Sequence, residues 1–125
     1  MEKRILICDD DADILSICSY ILEEKGWEVH TRTHCNNILD VLTEIRPQVI
    51  LMDNWIPETG GIKATQAIKA VDEFKNIPVI YFSANNDIKS LAAEAGADTY
   101  LAKPFDIEEL EQVIFSVFEN TNAQQ

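Results

Sequence analysis

The stretch Val49-Ile50-Leu51-Met52-Asp53 decides the fold. Four apolar residues in a row, with no polar alternation, read as a strand buried on both faces. Such strands belong to parallel sheets covered by helices on either side. The same signature recurs at Ile5-Leu6-Ile7-Cys8 and at Val79-Ile80-Tyr81-Phe82. Val29 and Thr31 mark a weaker strand, and Thr99-Tyr100-Leu101-Ala102 a fifth. Between these runs the period becomes helical. Ile14, Ile17, Cys18, Ile21 and Leu22 predict one buried stripe, and Ile38, Leu42 and Ile45 a second that Pro47 ends. Ala64, Ala67, Ile68 and Val71 predict a third, and Ile88, Leu91, Ala92 and Ala95 a fourth. Leu110, Val113, Ile114 and Val117 lie on a last helix read as Ile107 to Asn120. Gly26 and Gly96 fall just after helices, where a left-handed residue is wanted. Five strands alternating with five helices predict an α/β sandwich with right-handed crossovers.

The 125 residues make one domain, with residues 120–125 expected to fray. A 46% hydrophobic, 26% charged composition is that of a globular chain. The net charge of −12 argues against direct binding of nucleic acid and suits cations or basic partners. No apolar run is long enough for a membrane span, and carboxylates come too early for a signal peptide. Three cysteines, two of them in apolar runs, suggest a reduced, cytoplasmic protein. His30 and His34 flank the second strand without zinc spacing and read as surface residues. Cys35 is expected at the start of the second helix, partly exposed. Trp27 is expected against the sheet edge.

In open parallel sheets, chemistry sits at the carboxyl ends of the strands. Asp9, Asp10 and Asp11 follow the first strand. Asp53 follows the third, Ser83 the fourth, and Lys103-Pro104 the fifth. The second strand ends in Arg32 and Thr33, outside the site. Asp11 reads as a helix N-cap. Carboxylates gathered at one place repel one another and must share a proton or a cation. Oxygen donors without His or Cys point to Mg²⁺. Carboxylates, a lysine and a hydroxyl together suit the holding of a phosphoryl group, and a carboxylate can be the nucleophile that takes it.

From Arg4 to about Phe118 the chain resembles a response-regulator receiver domain of two-component signalling, CheY-like in type. The resemblance rests on Ile-Leu-Ile-Cys-Asp9-Asp10-Asp11, on Asp53-Asn-Trp-Ile-Pro57-Glu-Thr-Gly-Gly61, on Tyr81-Phe82-Ser83-Ala84 and on Tyr100-Leu-Ala-Lys103-Pro104-Phe105. It implies a doubly wound, flavodoxin-like sheet of order 2-1-3-4-5. It implies Asp53 as phosphoacceptor, taking the group from a sensor histidine kinase or a phosphotransfer protein. Asp10, Asp53 and the backbone carbonyl of Trp55 would ligate Mg²⁺, with Asp9 acting through metal-bound water. Lys103 would pair with phosphoryl oxygens, and Ser83, followed by Ala84, would donate a hydrogen bond to one. Pro104 would follow a cis bond. Ser83 and Tyr100 would switch the surface of the fourth helix, fifth strand and last helix. Trp55 and Asn85 flank the path of hydrolytic water, so they would set the phosphoryl lifetime.

Such a protein is a signalling receiver with self-catalysed phosphoryl transfer and slow loss, not a turnover enzyme. The resemblance names neither the kinase nor the downstream protein target. The last helix carries Glu108, Glu109, Glu111 and Glu119 against Lys89 on the fourth, which predicts a monomer or weak dimer. Three rivals remain. A phosphorylation-independent adaptor would fail to label. An aspartyl-phosphate phosphatase would need an acid where Trp55 stands. A flavin carrier would need a phosphate loop where Asp9-Asp10-Asp11 stands.

Overall fold

The structure is a computed structural model that describes residues 2–123, with side chains through Glu119. Five strands and five helices alternate: β1 (Arg4–Cys8), α1 (Ala12–Glu24), β2 (Glu28–Arg32), α2 (Ile38–Ile45), β3 (Val49–Asp53), α3 (Gly61–Lys69), β4 (Val79–Ser83), α4 (Ile88–Ala95), β5 (Thr99–Ala102) and α5 (Ile107–Ala123). The sheet is parallel throughout, in the order β2-β1-β3-β4-β5, with β2 at an edge as expected.

Alternate residues of the central strands feed two apolar layers. Leu6, Cys8, Ile50, Met52, Val79 and Tyr81 point toward α2, α3 and α4. Ile5, Ile7, Val49, Leu51, Ile80 and Phe82 point toward α1 and α5. All twelve are closed to solvent. Truncating one of the buried leucines or isoleucines to alanine costs about 2–5 kcal/mol.

Register then sets the level of the strand ends. Cys8 is level with Met52, so Asp9 comes level with Asp53. Ser83 is level with Ala102, so Lys103 follows immediately beyond it. Asp11 caps α1, its Oδ1 accepting from the amides of Asp13 and Ile14 at 2.9 and 3.4 Å. Arg46 ends α2 in the left-handed region just before Pro47. Gly26 and Gly96 are left-handed too.

Several expectations need correction. Ile17 is 54% exposed, and Leu15 takes its place in the buried stripe of α1 with Cys18 and Leu22. A helical step of about 100° swings position 17 off the face that positions 15, 18 and 22 share. Cys35 is not partly exposed. It lies in the loop before α2, in the same apolar layer as Cys8, where its thiol donates to the sulfur of Met52 at 3.9 Å. His30 lies within β2 rather than beside it, half-buried and 2.6 Å from Glu28 Oε2. His34 is exposed, as expected. Trp27 lies in the apolar layer with Ile5 and the edge-strand residue Val29, and it also meets Phe118 of α5 edge-on at 5.1 Å, with Lys3 over its ring. Helix α5 runs to Ala123, and of the tail at 120–125 residues 124 and 125 lie outside those described.

Candidate functional site

Four strand ends deliver their side chains to one cleft of about 420 Å³. Asp9 is 1% exposed, although a carboxylate is almost never fully buried unless paired. Its partners are at hand. Oδ1 accepts from the Asp11 amide at 2.9 Å, and Oδ2 accepts from Lys103 Nζ at 2.9 Å. Asp53 is also buried. Its Oδ1 accepts from the same ammonium at 2.8 Å, and its Oδ2 from the Trp55 amide at 2.9 Å. Lys103 therefore bridges two carboxylates, with its ammonium 4.5 Å from the centre of the Phe82 ring. The Lys103–Pro104 bond is cis, as the resemblance implies. The Lys103 amide donates to the Ser83 carbonyl at 2.9 Å, tying β5 to the end of β4.

Asp10 is exposed, and it completes a trio with Asp9 and Asp53 whose oxygens lie within 4.8 Å of one another. Among the described residues this is the one cluster of metal-type donors. The donors are hard oxygens, and the trio carries more negative charge than Lys103 balances. That set fits Mg²⁺, which takes a few carboxylates and keeps its waters.

The electrostatics follow from crowding. Burial comes first in raising the pKa of Asp53, and the charge of Asp9 adds to it; Lys103 and the Trp55 amide pull the other way and lose. Burial alone would lower the Lys103 pKa, but its bonds to Asp53 and Asp9 prevail and raise it. Burial, with the Asp53 charge behind it, pushes the Tyr81 hydroxyl up to about 12.

Ser83 is buried, and its Oγ accepts from the Asn85 amide at 3.0 Å. That is the turn-forming role of an ordinary serine, here performed at the wall of the cleft. Ala84 and Asn85 line the same wall. Trp55 stands at the rim with its side chain 74% exposed, so its indole does not roof the cleft. Tyr100 is exposed on β5.

One contact was not legible in the sequence. The Tyr81 hydroxyl donates to Asn54 Oδ1 at 2.5 Å. Tyr81 reads as one more apolar strand residue. The usable signal is Gly61, since a β-carbon there would stand 2.2 Å from the Asp53 carbonyl oxygen and 3.0 Å from the Tyr81 hydroxyl.

A family model of the response regulator receiver domain matches residues 5–115. The chain is 33% identical over 116 residues to sporulation initiation phosphotransferase F of Bacillus subtilis, covering 91% of this chain and 92% of that protein. It is 38% identical over 109 residues to the transcriptional regulatory protein PrrA of Mycobacterium tuberculosis, covering 86% of this chain but only 46% of that protein. Among solved structures it is similar to the receiver domain of the sensor histidine kinase PA1611 of Pseudomonas aeruginosa, which holds a magnesium ion in its active-site cleft. The TM-score is 0.86 at 26% identity, covering 95% of this chain and 99% of that one.

Proposed function

The chain belongs to the response regulator receiver domains of two-component systems, and from that premise we propose that Asp53 accepts a phosphoryl group from a phosphohistidine on a sensor kinase or phosphotransfer protein. The observation that carries this reading is the half-buried Lys103 ammonium, shared at 2.9 and 2.8 Å between Asp9 and Asp53. A lysine so held caps no helix; with Phe82 beneath it, it stands beside a nucleophile.

An Asp53 oxygen attacks phosphorus, and the P–N bond of the phosphohistidine breaks. The electron pair returns to the imidazole, which takes a proton from solvent. Asp53 must be ionised to attack, and Lys103 and the Trp55 amide hold its two carboxylate oxygens in place. Lys103 follows the incoming oxygens, giving up one carboxylate for the phosphoryl group. Ser83 Oγ, already at the wall, turns its hydroxyl to a phosphoryl oxygen, and Ala84 moves with it. Asp9, Asp10, Asp53 and the Trp55 carbonyl would hold Mg²⁺, which supplies charge neutralisation between the carboxylates and the phosphoryl oxygens.

Phosphorylation draws the Ser83 turn inward, and Tyr100 follows, changing the α4-β5-α5 surface read by a downstream protein. Glu108 and Glu109 are exposed on α5, while α4, on the other face of the sheet, carries Lys89 as its one cation. That imbalance supports a monomer or weak dimer. No described helix is long and apolar enough to cross a membrane, and all three cysteines are free, which supports a cytoplasmic receiver. The closing of one sheet between two apolar layers supports a single domain.

The test is incubation with a small acyl-phosphate donor and Mg²⁺, followed by intact mass. One phosphoryl group is expected, with none in Asp53→Asn. Labelling that survives in that variant removes the assignment.

A further inference from the structure

Tyr81 carries a polar group that the proposed chemistry does not use. It is a central residue of β4, closed to solvent, where any aliphatic side chain would fill the space without a hydroxyl to satisfy. The hydroxyl is satisfied by Asn54 Oδ1 at 2.5 Å. Asn54 is held twice more through its backbone. Its amide donates to the Phe82 carbonyl at 3.0 Å, and its carbonyl accepts from the Gly61 amide at 3.1 Å. Three bonds thus grip the single residue between Asp53 and Trp55. Two of them come from β4, the strand that ends in Ser83.

The grip depends on Gly61. Its backbone has no positive φ to require glycine. Space alone requires it, because a β-carbon would press on the Asp53 carbonyl and crowd the Tyr81 hydroxyl. Farther along the same loop, Asn36 holds Glu58 at 3.0 Å and Thr59 at 3.1 Å. The far half of the loop is therefore secured separately, and Tyr81 governs the near half.

We propose that Tyr81 is a positioning residue, whose hydroxyl fixes the Asp53-Asn54-Trp55 turn against the strand that carries Ser83. The inference rests on the reading of Asp53 as phosphoacceptor and adds a residue to it. Asp53 offers one carboxylate oxygen to Lys103 and the other to the Trp55 amide, so a turn that drifts moves the nucleophile. The same drift moves the Trp55 carbonyl, the one backbone donor proposed for Mg²⁺. A positioned group lost by a fraction of an ångström weakens binding at that centre more than it weakens the fold. Asn54 is only half-buried, so water replaces the lost bond, and stability changes little.

The experiment compares wild type, Tyr81→Phe, Asn54→Ala and the double variant. Mg²⁺ affinity is read from tryptophan fluorescence, Trp55 being exposed at the cleft rim. Amide exchange at Trp55 and Gly61 is read in chelator, and labelling by an acyl-phosphate donor is read at low and saturating Mg²⁺. Tyr81→Phe is expected to weaken Mg²⁺ binding about fivefold, the worth of one net hydrogen bond, and to speed exchange at both amides. Labelling should fall at low Mg²⁺ and return to within about twofold of wild type at saturation. Asn54→Ala should match it, and the double variant should be no worse, since both remove one bond. Unchanged Mg²⁺ affinity in Tyr81→Phe overturns the proposal, whatever the exchange or melting data show, and so do effects that multiply in the double variant. A wild-type protein that neither binds Mg²⁺ nor takes label sinks the phosphoacceptor reading and this inference with it. That outcome is told apart because it needs no substitution to appear.

Discussion

Lys69 and Lys103 are buried to nearly the same degree, with side chains 18% and 19% exposed, and sit at opposite ends of the sheet. Lys69 is spent on the backbone. Its ammonium donates to the carbonyls of Lys75 and Ile77 at 3.1 and 2.8 Å and to Asp98 at 2.7 Å. Asp98 in turn accepts from the Val79 amide at 2.7 Å, so one cation closes the loop into β4 and finds one carboxylate to match it. The rest of the amino end is equally settled: Arg4 caps the Arg46 carbonyl, and Gln48 accepts from the Arg4 amide at 2.7 Å. Lys103 caps no carbonyl with its side chain. It divides one charge between two buried carboxylates, with a third beside them. The two ends show how a parallel sheet separates its tasks. The amino end pairs its charges and holds the strands, whereas the carboxyl end is left with excess negative charge for a cation or phosphoryl group to relieve.

The largest effect expected from this contrast is that of Mg²⁺. At a hundred times its dissociation constant the ion should stabilise wild type by about 2.7 kcal/mol, because it binds the folded chain alone. Calorimetric melts with and without Mg²⁺ read this directly. Asp10→Asn should remove most of the shift, and Lys69→Met should keep it. A full Mg²⁺ shift in Asp10→Asn would mean that the ion binds elsewhere.

Next comes the settled end itself. Lys69→Met takes one donor from two carbonyls and from Asp98, which keeps the Val79 amide, and should cost about 1 kcal/mol in urea unfolding. Acyl-phosphate labelling at 25 °C should be unchanged. A labelling defect would show that the two ends are not independent.

Smaller still are the effects on phosphoryl lifetime. Asn85 lines the cleft and cannot act as a base, so Asn85→Glu should speed loss of label up to about tenfold. Trp55→Asn should speed it less, because the indole stands mostly in solvent. Decay of labelled protein in Mg²⁺, followed by mass, ranks the two. A faster decay in Trp55→Asn than in Asn85→Glu would restore the indole as a shield.

Much of this architecture was legible because parallel strands buried on both faces write themselves as unbroken apolar runs, as at Ile5–Cys8 and Val49–Met52. The site was legible for a related reason: in such a sheet every functional group must follow a strand, so Asp9, Asp53, Ser83 and Lys103 stand where one looks. Periodicity does not order the strands, and β2-β1-β3-β4-β5 came from the family resemblance. What stayed hidden depends on distances that no local pattern encodes. Asp9 and Asp10 are neighbours in the sequence, yet Asp9 turns in to Lys103 and is buried while Asp10 is exposed. Cys35 hides because Met52 and Cys8 are beneath it. Tyr81 looks apolar until Gly61 makes room for its hydroxyl.

The central claim, that the carboxyl end is held with its charges unrelieved, is tested most directly by the stability of Asp53→Asn against pH in chelator. Asp53 has its folded-state pKa raised above the unfolded value near 3.9, so ionising it costs folding energy. The cost is absent below the ordinary carboxylate range, grows as pH rises through the interval up to the raised value, and is complete above it. Asparagine never bears it. At neutral pH, Asp53→Asn should therefore be more stable than wild type, with a higher Tm. The gap should close as the pH falls through that interval. A variant less stable than wild type at neutral pH, or a gap that does not change with pH, would contradict the account.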